Sequence, residues 1–103
     1  MDLIKYGMNV VGENLGLIKT DFEGLRILIR ENLQNRFGSD TFDEKTIDTV
    51  LRNAAFDLER SIIFRERLGY AREIYLRLND QDGIERVNDQ LGIYMMNSFN
   101  QMF

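Results

Sequence analysis

The sequence predicts an all-α protein, a small bundle of four to five helices joined by short loops, with no β-sheet. Three observations carry that expectation. Apolar residues recur at steps of three and four along most of the chain, and no stretch alternates with period two between turn signals. The 103 residues include no Pro, so glycines and capping side chains are the only punctuation. Cap pairs stand where the apolar stripes begin. No linker composition, repeat or low-complexity tract divides the chain, so a single helical domain over 1–103 is expected.

The first helix is expected from about Asp2 to Lys19. Ile4, Met8, Val11, Leu15 and Ile18 form one stripe. Gly7, Gly12 and Gly16 weaken it by about 1 kcal/mol each against Ala, so packing must hold it. Gly12 and Gly16 lie one turn apart and offer a place for close backbone approach.

Thr20 and Glu23 fit a capping box for the second helix, which carries Phe22, Leu25, Leu28, Ile29 and Leu33 on one side. The stripe stays in phase with the first, so one bent helix over 2–36 competes with a break at the cap. Phe37-Gly38 marks the end, with Gly38 left-handed.

Thr41 and Glu44 form the next candidate box, with the third helix starting near Phe42. Ile47, Val50, Leu51, Ala54, Leu58 and Ile62 give its apolar face. The stripe then shifts phase to Phe64, Leu68, Ala71, Tyr75 and Leu78. An uninterrupted helix through both stripes would be about 55 Å long at 1.5 Å per residue. A kink or break near Leu68-Gly69 is therefore expected. Asn79-Asp80-Gln81-Asp82-Gly83 is the clearest turn, and Asp82 with Glu85 forms a third cap pair. The last helix shows Ile84, Val87, Leu91, Tyr94, Met95, Ser98 and Met102 at helical spacing.

Composition narrows the function. Without Cys there is no disulfide framework, zinc finger or thiol nucleophile, and without His no Ser-His-Asp catalysis or imidazole ligand. The serines at 39, 61 and 98 lack a Gly-x-Ser-x-Gly setting. Gly7 to Gly12 is not followed by Gly-Lys-Ser/Thr, so no phosphate loop is supported. Asn79 to Gly83 fails as a calcium loop, because Gly83 in sixth place puts Leu78 where an acid must stand. Asp40, Asp43, Glu44 and Asp48 cluster where a helix dipole favours acids. No catalytic residue, cofactor site or metal ligand is assigned, and the chain is not expected to be an enzyme.

The chain is 44% hydrophobic and 29% charged, as folded domains are, with net charge −4. No apolar run approaches the roughly 20 residues of a membrane span, and Met1-Asp2-Leu3-Ile4-Lys5 lacks the layout of a secretion signal. An intracellular or virion-borne protein is expected, not one secreted through a disulfide-forming route.

The average charge conceals an uneven distribution. Ten of the thirteen basic residues are Arg. Arg60, Arg65, Arg67, Arg72 and Arg77 face only Glu66 and Glu73 within their stretch, leaving it positive. Arginine suits interface pairing with carboxylates or phosphates; intrachain pairing, as in the i, i+4 order of Glu73 and Arg77, is the competing use. After Asp89 no charged side chain follows, and Tyr94, Met95, Met96, Phe99, Met102 and Phe103 broaden the apolar face of the last helix. Met-rich aromatic surfaces adapt to partners.

These arginines and apolar residues are the candidate partner interface. The expected function is that of a non-enzymatic structural or adaptor subunit packing into a larger assembly, with a protein partner or a homo-oligomer. A phage virion, neck or tail component is a context this composition suits. The alternative is a small nucleic-acid-binding or regulatory protein using the arginine stripe. An acidic nucleic-acid mimic is a third reading, and the modest net charge disfavours it.

Overall fold

The computed structural model describes residues 2–38, 42–60 and 65–101, with side chains through residue 93. The described residues form six helices and no strand: α1 (Leu3–Glu13), α2 (Leu17–Thr20), α3 (Phe22–Phe37), α4 (Glu44–Glu59), α5 (Arg65–Arg77) and α6 (Gln81–Gln101). The all-α class holds, with more helices than the four to five expected. The chain forms two compact units, Met1–Ala54 and Ala55–Phe103, and the division falls within α4.

The extra helix arises at Asn14. Its side-chain amide donates to the Val10 carbonyl at 2.7 Å, and its backbone N–H reaches back to Val11 at 3.0 Å. α1 therefore closes at Glu13, and α2 restarts after Gly16 as a single turn. Asp2 caps α1 by accepting from the Ile4 N–H at 3.0 Å. Gly12 and Gly16 do not receive a neighbouring backbone: a Cβ built on either meets nothing within 4 Å. The close approach occurs at Gly7, where an added Cβ would lie 2.7 Å from Val50 of α4.

The cap of α3 is Asp21, one residue beyond the expected Thr20. Its carboxylate accepts from the Gly24 N–H at 2.9 Å, the cap-to-third-residue bond that defines a helix start. Thr20 instead ends α2 and donates its hydroxyl to the Gly16 carbonyl at 2.8 Å. α3 ends as expected, with Gly38 at φ 69° and its N–H on the Gln34 carbonyl. Leu25, Ile29 and Leu33 are fully buried, along with Val11 and Ile18 from the preceding helices and Ile47, Val50 and Leu51 from α4. Together these form the apolar interior of the first unit.

α4 starts at Glu44, two residues later than expected. Asp43 makes the start by accepting from both the N–H and the hydroxyl of Thr46, at 2.9 and 2.8 Å. The Thr46 N–H, then its hydroxyl, hold the Asp43 carboxyl below its ordinary pKa. The proposed cap at Thr41 lies outside the described residues.

The predicted break near Leu68-Gly69 is absent. α4 ends at Glu59, and α5 begins at Arg65 and runs unbroken through Gly69. Leu68 and Ala71 are buried on either side of that glycine, and their packing carries the helix across it. The phase shift at Ile62 to Phe64 falls outside the described residues.

α5 and α6 pack as an antiparallel hairpin, with Arg72 bonded to Asn88 and Tyr75 set against Gly83. The turn between them is a Schellman closure. The Asp80 N–H reaches the Tyr75 carbonyl at 2.9 Å and the Asn79 N–H reaches Leu76 at 3.2 Å. Asn79 takes the left-handed conformation at φ 56°, a place usually held by Gly. Asp80 then caps α6 by accepting from the Gly83 N–H at 3.1 Å. The cap is thus Asp80, and Asp82 lies in the first turn. Leu68, Ala71, Ile74 and Tyr75 pack with Ile84, Val87, Ala55 and Leu58 inside the second unit.

Candidate interaction surface

Each unit is pinned by an arginine that the sequence reading did not single out. In the first unit, Arg26 of α3 donates to Asp48 of α4 at 2.7 Å and also binds Glu44. One turn further on, Arg30 binds the other Glu44 oxygen and donates through Nε to the Phe42 carbonyl at 3.2 Å. Arg26, then Arg30, hold the Glu44 carboxyl below the usual carboxylate range. The acids at the start of α4 therefore serve as helix-to-helix anchors. Among the described residues, no group of three or more carboxylates could hold a metal ion.

In the second unit, Glu59 is the buried charged residue, 8% exposed. It receives the Tyr75 hydroxyl and two bonds from Arg86, Nη2 to Oε1 at 2.9 Å and Nε to Oε2 at 3.2 Å. Arg86 Nη2 also donates to the Tyr75 oxygen at 3.2 Å. The three polar groups satisfy one another, as a buried polar cluster must. Burial, then the Glu59 carboxylate, raise the Tyr75 pKa well above that of an ordinary phenol. The hydrogen bond to Glu59 favours the charged form of Arg86.

The arginine of this cluster extends to the surface. Its guanidinium lies 5.9 Å from the centroid of Phe56, and that of Arg60 lies 6.0 Å from the same ring. Phe56 remains 49% exposed despite both. Although Arg60 is the sequence neighbour of Glu59, the carboxylate takes Arg86. The signal for Glu59 was present: it lies at the edge of the apolar stripe, one turn beyond Ala55 and two beyond Leu51. Arg86 carried no comparable mark.

The predicted interface residues are placed as follows. Arg60 lies just past α4. Arg65 and Arg67 are exposed in the first turn of α5, on either side of exposed Glu66. Arg72 donates to Asn88 at 2.8 Å, and Arg77 donates to Glu73 at 3.1 Å in the expected i, i+4 order. The five arginines therefore do not form one uninterrupted free stripe. Tyr94, Met95, Met96 and Phe99 belong to α6, but their side chains lie outside the described residues, as do Met102 and Phe103 entirely. The last described side chain of that run is Ile93, at 53% exposure.

Ile93 extends an outward stripe of α6. Asp82, Glu85 and Asp89 precede it at steps of three and four, and all are exposed. The outer face of α6 thus passes from three acids to an exposed isoleucine, and from there into uncharged sequence. No described helix is long and apolar enough to cross a membrane. Comparison with family models, with curated proteins and with solved structures returned no match.

Proposed function

We propose that the protein is a non-enzymatic structural or adaptor subunit that works by packing against other protein surfaces in a larger assembly. One observation carries this reading: the outer face of α6 runs from Asp82, Glu85 and Asp89 to Ile93, 53% exposed, in a helix with no charged side chain after Asp89. A helix face with exposed apolar groups rimmed by charge has the make-up of a contact surface. The arginine stretch supports protein contact over nucleic-acid contact, because Arg72 and Arg77 are engaged within the chain and Glu66 stands between Arg65 and Arg67. Phosphate binding favours unpaired cations along one face. A phage virion, neck or tail component remains the context we propose for such a subunit.

The test is the solution mass of the isolated full chain by sedimentation. Oligomers, or aggregation in the absence of a partner, are expected. A stable monomer across the accessible concentration range would overturn the reading.

A further inference from the structure

The half-exposed ring of Phe56 is set between two arginines in a way that defines a ligand. Phe56 and Glu59 belong to the last turn of α4, Arg60 lies just past it, and Arg86 comes from α6. The Arg86 guanidinium lies 5.9 Å from the Phe56 ring centroid, and that of Arg60 lies 6.0 Å from it. At such distances a cation and a ring attract each other. The ring nevertheless stays 49% exposed, so both cations border it without covering it.

The two arginines are held differently. Arg86 donates through Nη2 and Nε to the Glu59 carboxylate and through Nη2 to the Tyr75 oxygen, so its orientation is set before any partner arrives. Its Nη1 group has no hydrogen bond among the described residues, and its side chain is 48% exposed. Arg60 is exposed, and its one contact among the described residues is the Phe56 ring. Buried Glu59 offsets one of the two positive charges. Solvent therefore meets an apolar ring, open N–H donors on two guanidiniums and one positive charge in excess. A guanidinium already fixed in place loses less freedom when it takes an anion.

The surroundings select among anions. Exposed Asp57 follows Phe56 directly, and on α6 exposed Asp82 and Asp89 stand one turn before and after Arg86. The whole chain carries a net charge of −4. A nucleic-acid strand brings a phosphate with every nucleotide, and these acids repel it. A protein segment brings isolated carboxylates with apolar side chains between them, which matches one ring bordered by two cations.

We propose that the Phe56–Arg60–Arg86 patch docks a partner protein segment that presents carboxylates beside an apolar or aromatic side chain. Arg60 and the open Nη1 of Arg86 take the carboxylates, and the neighbouring side chain packs on the Phe56 ring. The proposal rests on the packing-subunit reading for its protein partner and names that partner's chemistry.

The experiment titrates the full chain into a fluorescently labelled random glutamate–tyrosine copolymer at low salt and follows anisotropy. Polyglutamate and oligo-dT are the comparison probes. The copolymer should bind more tightly than either. Phe56→Ala and Arg60→Gln should each weaken copolymer binding at least about five-fold, while circular dichroism shows unchanged helicity because both side chains are exposed. Arg36→Gln, the same charge change on an exposed residue of α3, should leave binding unchanged. No copolymer binding, equal losses from Arg36→Gln and Arg60→Gln, or tighter binding of oligo-dT would overturn the proposal. Sedimentation of the same samples separates the two readings. An oligomer that ignores the copolymer would overturn this site and leave the subunit reading standing. A stable monomer that binds the copolymer through Phe56 and Arg60 would uphold the site and overturn the subunit reading.

Discussion

The Tyr75 hydroxyl donates to Oε1 of Glu59, and the same oxygen accepts from Arg86 Nη2 at 2.9 Å. The tyrosine ring is fully buried, the Glu59 side chain is 9% exposed and that of Arg86 is 48% exposed. The solvent-facing member neutralises the buried one. Arg86→Ala leaves a buried carboxylate without its cation and should cost about 2–3 kcal/mol. Tyr75→Phe removes only one neutral donor and should cost about 1 kcal/mol. Urea denaturation measures both, and a larger loss for Tyr75→Phe would contradict this division of roles.

The same cluster sets an alkaline limit. Burial and then Glu59 raise the Tyr75 pKa in the folded state, so above pH about 10 the folded chain holds a proton that the unfolded chain releases. Its contribution is fully present below that pH and is lost as pH rises further. The phenolate absorbance attributable to Tyr75, taken as the difference from Tyr75→Phe, should appear together with loss of helicity. Its appearance in the folded protein near pH 10 would contradict the prediction.

Acid acts on the first unit with the opposite sign. Arg26 and Arg30 depress the Glu44 pKa, so the unfolded chain takes up the proton first as pH falls. The stability from this anchor is complete above pH about 4.5 and is lost as pH falls through the depressed folded value. Glu44→Gln should be less stable than wild type near pH 7, and the two should converge in strong acid. A gap in urea midpoint that is constant with pH would show that the charge on Glu44 is not the source.

Glycines separate fit from freedom. A Cβ at Gly83 would collide with the Tyr75 ring, which is buried and cannot move aside. Gly83→Ala should destabilise the hairpin by about 1–3 kcal/mol, as overpacking does. Gly12 lies inside α1 with open space where its Cβ would stand, so Gly12→Ala should stabilise by about 0.5–1 kcal/mol. Thermal melts of the pair should move in opposite directions.

The apolar outer face of α6 makes its own prediction. Ile93 is half exposed, so Ile93→Asp should leave the melting temperature within a few degrees of wild type while reducing self-association. Equal loss of both would place Ile93 in an interior contact.

Much of this fold is legible in the sequence because its signals are local. Helical spacing gives the class, and it places Leu25, Ile29, Leu33, Ile47, Val50 and Leu51 inside. Gly38 ends α3 because a left-handed residue is needed there. Asn79 through Asp80 form a turn because Asn accepts that conformation and Asp caps the next helix. The i, i+4 bond from Arg77 to Glu73 follows from helix geometry alone. Even the misplaced caps are misplaced by little, since Thr20 and Asp21 offer the same chemistry side by side.

Tertiary structure decided which charges are structural. Glu59 joins Arg86 across 27 residues, and Arg26 joins Asp48 across 22. Nothing in local spacing distinguishes Arg26 and Arg86 from Arg60 and Arg65, because a guanidinium gains a partner only when packing brings a carboxylate within hydrogen-bonding distance. Packing also decided that α5 continues through Gly69: burying Leu68 and Ala71 outweighs the roughly 1 kcal/mol by which a helical glycine falls short of Ala. The sequence therefore determined the helices and their apolar faces, which depend on neighbours a few residues away. Only the packed chain determined its anchors and its free charges, which depend on neighbours distant in sequence.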